Sequence, residues 1–125
     1  MPTIAQDLKA LDALQAHLFA HRHATTSIMF AGETTDPTEA ADPRAEALAT
    51  PEEEVHDLMC SDETGDLLAR LGAAAAEGEL DEVRAAQVRV LVREREERVC
   101  VPAATQADFA RLCCEAQSVW TRAKR

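Results

Sequence analysis

The stretch IAQDLKALDALQAHL, residues 4–18, decides the fold. Ile4, Leu8, Leu11, Leu14 and Leu18 recur at steps of four, three, three and four. That is the period of one face of an α-helix, whereas a half-buried strand alternates at every second residue. Asp7, Lys9, Asp12 and Gln15 fall off the stripe. Thr3 stands where an N-cap belongs, and Asp7 sits in the first turn, where the helix dipole favours an anion. The spacing predicts a first helix from Thr3 to about Met29.

The rest of the chain agrees in composition. Of its 125 residues 46% are apolar, but 25 of those are Ala and only Phe19, Phe30, Phe109 and Trp120 are aromatic. Sheets draw on β-branched and aromatic side chains, while Ala, Leu, Glu and Arg favour helices. An all-β fold is excluded and an α/β fold disfavoured. The length suits a single helical domain, residues 1–125.

The net charge of -10 is local. Residues 1–32 carry two acids and two bases, and residues 67–125 nine acids and ten bases. Residues 33–66 carry twelve acids against Arg44 alone. A nucleic-acid binder needs a basic footprint, and the one basic cluster, Arg122, Lys124 and Arg125, is explained by cations favoured at a helix C-terminus. No apolar run of about 18 residues is available to span a bilayer, and Met1 to Asp7 lack the pattern of a signal peptide. Cys60, Cys100, Cys113 and Cys114 form no CxxC and match no zinc ribbon or finger. The expectation is a cytoplasmic protein with free thiols, no nucleic-acid partner and no membrane partner.

Four further helices follow from the punctuation. Gly32, Pro37 and Pro43 predict one long loop from Phe30 to Pro43. A second helix is expected from Arg44 to Cys60, broken at Pro51, with Thr50 as N-cap of its second segment. Ser61 or Asp62 caps a third that buries Leu67, Leu68, Leu71 and Ala74 or Ala75, and Gly78 ends it. Asp81 caps a fourth, Glu82 to about Val99, with Ala85, Val88, Leu91, Val92 and Val99 on its inner face. The fifth, from about Ala103 to Ala123, is expected to bury Phe109, Leu112, Cys113, Ala116 and Trp120. The fold class is all-α: about five helices, antiparallel neighbours in a helical bundle, one long loop after the first.

Chemistry is sparse in these residues. His17 and His21 lie four apart and share a helical face, the spacing of two metal ligands. Leu18 follows His17, so the H-E-x-x-H of a zinc peptidase is not formed there, and two partly exposed helix histidines flanking Leu18 are the preferred reading over a metal site. The run Glu52 to Glu54 with Asp57 lacks the D-x-D-x-D-G loop of a calcium site and reads as a solvated first turn. No nucleophile elbow, P-loop or dinucleotide fingerprint occurs. The residues assemble no catalytic centre and imply no cofactor.

A series of short segments resembles, in order, the N-terminal part of the thermostable carboxypeptidase (carboxypeptidase Taq) family of zinc metallopeptidases. Met29-Phe30-Ala31-Gly32-Glu33-Thr34, with Pro37 three residues on, stands where that family has a Leu-Trp-Asp-Gln-Glu-Thr-type segment and a Met-Pro-Pro turn. Arg44-Ala45-Glu46-Ala47-Leu48-Ala49-Thr50 is similar to its Arg-Ala-Glu-x-Leu-Ala-Thr helix. His56-Asp57-Leu58 and Gly65-Asp66-Leu67-Leu68 match a His-x-Leu step and a Gly-x-Leu-Leu helix. Leu80-Asp81 through Ala85, the Arg/Glu run to Arg98, and Val101-Pro102 follow in register, as does Ala116-Gln117-Ser118-Val119-Trp120. The similarity runs from Leu8 to Ala123. The departures are Phe30-Ala31 in place of Trp-Asp, and Pro51 inside a family helix.

Family enzymes are several times longer, and their H-E-x-x-H helix and later Glu ligand have no counterpart in these residues. No catalytic residue carries over, and zinc belongs only to a complete family enzyme. The resemblance implies a lid-like helical domain of the kind that covers the substrate groove, not a working peptidase, acting by binding protein or peptide. The expected interaction residues are Phe30, Glu33, Thr34, Pro37 and Trp120. Two other roles fit the same residues. One is the N-terminal piece of a split metallocarboxypeptidase that docks on a catalytic body, with Leu18, Phe19, Phe30 and Trp120 as its docking surface. The other is a homo-oligomeric helical scaffold that pairs with a second copy of itself.

Overall fold

The computed structural model describes residues 1–34 and 41–124 and is built from five α-helices, with no strand among the described residues. They are α1 (Ile4–Thr34), α2 (Ala41–Cys60), α3 (Asp62–Ala76), α4 (Glu82–Val99) and α5 (Ala103–Ala123). The all-α reading and the number of helices hold. The residues group into two compact units, Met1–His17 with Asp57–Val101, and Leu18–His56 with Pro102–Arg125.

The first unit starts at a reciprocal cap. Gln6 N donates to Thr3 Oγ1 (3.2 Å), and Thr3 N donates to Gln6 Oε1 (2.8 Å), so two N–H groups at the helix start are satisfied by side chains. Leu11 and Leu14 of α1 are buried, as are Met59 at the end of α2, Leu67, Leu68, Leu71 and Ala74 of α3, and Val88 and Leu91 of α4. Ser61 caps α3, its hydroxyl accepting from Thr64 N (3.3 Å). Gly78, at φ 76°, takes the left-handed conformation that lets the chain leave α3. Asp81 Oδ1 then accepts from Arg84 N (2.8 Å) to open α4, and α3 and α4 pack together as a helical hairpin.

Two forked ion pairs hold α1 to that hairpin. Arg70 Nη2 and Nε donate to Asp7 at 2.8 and 3.0 Å, and Arg84 Nη1 and Nη2 donate to Asp12 at 2.6 and 3.2 Å. Asp7 is buried although it lies off the leucine stripe, because Arg70 reaches it from α3. The hydrogen bonds from Arg70 and Arg84 hold both carboxyls below their ordinary values.

In the second unit the small core cluster is Ala45 and Leu48 of α2 with Cys114 of α5, and Ile28 of α1 packs against it. Leu18, Ala49, Val55, Ala107 and Ser118 are buried as well. Arg111 Nε and Nη2 donate to Glu46 Oε1 and Oε2 at 2.8 and 3.3 Å, tying α5 to α2.

Four expectations are corrected. The loop does not begin at Phe30: α1 continues through Gly32 to Thr34, and α2 already starts at Ala41. At Gly32 the lack of a side chain leaves room for Arg44, whose Cδ and Nε would lie 3.0 Å from a Cβ there. Pro43 falls in the first turn of α2, whose N–H groups have no helical partner in any case. The rest of the expected loop, residues 35–40, lies outside the described residues. Second, α2 runs through Pro51, and Thr50 is not a cap: its hydroxyl donates back to the Glu46 carbonyl (3.3 Å). Third, Val99 is exposed at the end of α4. Fourth, α5 is turned the other way. Phe109, Leu112, Cys113, Ala116 and Trp120 all face solvent, and Ala107, Cys114 and Ser118 face the core.

Asp7 and Asp12 give the first unit a defined acid response. Their carboxyls have lowered values in the fold, so the stabilisation is complete above the ordinary carboxylate range and fades as pH falls through the lowered values. Urea unfolding should show stability falling below about pH 4, with a weaker pH dependence in Asp7→Asn and weaker still with Asp12→Asn added. An unchanged pH profile in the double variant would contradict the two pairs.

Candidate functional site

The second unit carries a concavity. α1, α2 and α5 enclose a groove of about 420 Å³. Its floor is Gly32 of α1, Leu48 of α2 and Cys114 of α5, and Met29, Phe109, Ala110 and Cys113 form its apolar walls. Arg44, Glu52, Gln106 and Gln117 supply polar groups at its edges. This is the usual make-up of a ligand cleft: apolar walls, a few polar groups, and a volume in the range of small-molecule and side-chain pockets.

The helices produce this groove for a simple reason. Ala45 and Leu48 of α2 form one buried cluster with Cys114 of α5, and the small Ala107 and Ser118 are buried on the same side of α5. On α5 the small residues recur at steps of seven and four, and Arg111 belongs to the same side at 3.6 residues per turn. The Glu46–Arg111 fork therefore turns that side toward α2. Glu46 raises the Arg111 guanidinium above its ordinary value by accepting its hydrogen bonds. Phe109 and Cys113 are left off that buried side, where they wall the groove.

The expected site residues fall in different places. Phe30 is exposed on α1, and Thr34 Oγ1 donates to the Phe30 carbonyl (2.9 Å). Trp120 is exposed on α5, with Lys124 Nζ 5.0 Å from its ring centroid. The Glu33 side chain and Pro37 lie outside the described residues. Of the expected docking residues, Leu18 is buried, while Phe19 is exposed and stacks on His23 with ring centroids 6.2 Å apart. Of the expected interaction residues that are described, Phe30, Thr34 and Trp120 do not line the groove.

His17 is exposed, and His21 Nδ1 lies 3.5 Å from Glu54 Oε2, an acidic partner on α2. Among the described residues no group of three His, Cys, Asp or Glu side chains converges to hold a metal ion. No H-E-x-x-H occurs in the 125 residues. This donor set does not fit a peptidase zinc. The groove residues Met29, Leu48, Ala110 and Gln117 were missed by the sequence reading. The signal was present in the small residues at 107, 114 and 118, which mark a close helix contact.

The family model of the carboxypeptidase Taq (M32) metallopeptidases matches residues 10–125, so the chain belongs to that family. The searches of curated proteins and of solved structures return no match. No helix of the described residues is long and apolar enough to cross a membrane.

The histidine pair is directly testable by calorimetric titration with Zn²⁺. With His21 facing Glu54 and no third donor converging, His17→Ala should change zinc affinity by less than about twofold. A loss of about tenfold or more, the scale of removing a real ligand, would place a metal at the pair.

Proposed function

We propose that this chain is a lid-type helical region of a metallocarboxypeptidase that acts by binding, and that its groove takes a peptide carrying apolar side chains. The observation that carries this reading is the apolar groove of the second unit, walled by Met29, Phe109, Ala110 and Cys113. Its volume suits one or two apolar side chains, and the side-chain amides of Gln106 and Gln117 on α5 suit the backbone N–H and C=O groups of an extended peptide. Family membership supplies the context of a peptidase substrate. The chain's own residues offer shape and hydrogen bonding, and no step of peptide hydrolysis is assigned to them. The four cysteines, none of them in a disulfide, suit a reducing compartment, so the proposal places the chain in the cytoplasm.

A second reading is favoured by α1. Phe19 and Phe30 are eleven residues apart, three helical turns, and both face solvent on one side of that helix. Such a stripe suits the N-terminal piece of a metallocarboxypeptidase resting on a catalytic body that bears H-E-x-x-H.

Fluorescence titration with a dansylated, leucine-rich hexapeptide tests the first reading. The chain should bind it, and Ala110→Trp, which fills the groove, should weaken binding at least about tenfold while leaving the circular-dichroism melt in place. With Zn²⁺ or Co²⁺ present, the chain should release no amino acid from the peptide. Equal binding by Ala110→Trp, or release at enzyme-like rates, would overturn the proposal.

A further inference from the structure

α2 lines the groove with three side chains at equal steps. Arg44, Leu48 and Glu52 are four residues apart, so they follow one another along one side of the helix at intervals of about 6 Å. A cation, an apolar group and an anion therefore stand in a row about 12 Å long. The Arg44 side chain reaches across to α1 and lies over Gly32, where its Cδ and Nε would be 3.0 Å and its Cζ 3.2 Å from a Cβ. Glu52 is half-buried beside the apolar walls. The neighbouring carboxylates of α2 are engaged elsewhere, Glu46 by Arg111 and Glu54 by His21. Among the described residues no ion pair engages Glu52.

That row has the period of an extended peptide. In a strand every second side chain leaves the same face, about 6.6 Å from the last, so positions i, i+2 and i+4 cover about 13 Å. Laid along α2, such a chain carries one side chain to Arg44, the next to Leu48 and the third to Glu52. Charge complementarity then fixes their types: an acid at the Arg44 end, an apolar side chain in the middle, and a base at the Glu52 end. Gln106 and Gln117 on α5 argue for an extended chain and against a helical one. An extended chain leaves backbone N–H and C=O groups for their amides, whereas a helix satisfies its own.

We infer that the groove selects extended peptides in which an acidic, an apolar and a basic side chain occupy alternate positions. The inference rests on the peptide reading of the same groove and adds a charge pattern to it. α2 supplies the pattern, α5 the backbone contacts, and Gly32 of α1 the space in which Arg44 lies.

Fluorescence titration with dansylated pentapeptide amides tests this. Glu-Thr-Leu-Thr-Lys and its reverse, Lys-Thr-Leu-Thr-Glu, present the three side chains on one face in the two chain directions. The better of them should bind at least about tenfold more tightly than Thr-Glu-Leu-Lys-Thr, which has the same composition with its charges turned to the other face. Replacing its Lys by Gln should weaken binding about fivefold, and Glu52→Gln should remove that difference. Glu52→Lys should reverse the preference, so that Glu in place of the peptide's Lys binds better than Lys itself. Gly32→Ala, whose Cβ displaces Arg44, should erase the preference for Glu over Gln at the acidic position and leave the preference for Lys. Circular-dichroism melts check that each variant is folded. Equal binding of the matched and the shifted peptide, or a Glu52→Lys chain that still prefers Lys, would overturn the inference. Ala110→Trp separates this failure from that of the groove itself. If the leucine-rich hexapeptide binds and Ala110→Trp weakens it while the charge pattern changes nothing, the pattern alone is rejected. If Ala110→Trp leaves the binding of every peptide unchanged, the groove reading is rejected and the pattern with it.

Discussion

The contact on which the second unit depends is the close approach of α5 to α2. It rests on small side chains: Ala45 and Leu48 on one helix, Cys114 on the other, with Ile28 of α1 against them. Small residues allow helix axes to come near, and the energy then comes from many short contacts instead of a few large buried groups. The Glu46–Arg111 fork fixes the rotation of α5 at that contact. Exposed ion pairs contribute little to stability, and both members are partly exposed here, so the pair is better understood as a device of orientation than of strength. Once α5 is set this way, its large apolar residues have nowhere to go but the groove wall and the outer surface.

The first unit follows a different rule. Leu11, Leu14, Met59, Leu67, Leu68, Leu71, Val88 and Leu91 make a conventional core of large aliphatic residues, and the arginine forks to Asp7 and Asp12 reinforce its rim. The unit with the large core exposes Val83, Val90 and Val99, whereas the unit with the small core carries the groove and the larger exposed side chains Phe19, Phe30, Phe109, Leu112 and Trp120, with Val119. Surplus apolar surface on that scale is characteristic of a binding surface. Among the described residues no group of three His, Cys, Asp or Glu side chains converges in either unit.

Much of the fold was legible in the sequence. The leucine steps of residues 4–18, the caps at Thr3, Ser61 and Asp81, and the stop at Gly78 all sit where the pattern placed them. What failed did so for physical reasons. Gly32 and Pro43 look like loop residues in isolation, yet one accommodates Arg44 and the other occupies a turn with no N–H to lose. Asp7 and Asp12 look solvated until their partners, 63 and 72 residues away, are known. The α5 periodicity correctly marked an apolar stripe, but periodicity cannot say whether a stripe turns toward its own chain or away. Here the opposite side, at Ala107, Cys114 and Ser118, packs more closely. The groove was hidden partly for the same reason, since two of its walls, Phe109 and Cys113, are residues that the periodicity assigns to the core.

The orientation of α5 is therefore the central claim, and adjacent Cys113 and Cys114 report it directly. The two thiols are neighbours in sequence but face opposite environments, one exposed and one buried. Native dilute protein would be pulsed with iodoacetamide, digested, and the two sites quantified by mass spectrometry. The account predicts rapid modification of Cys113 and modification of Cys114 only after unfolding; early modification of Cys114 with Cys113 protected would contradict it.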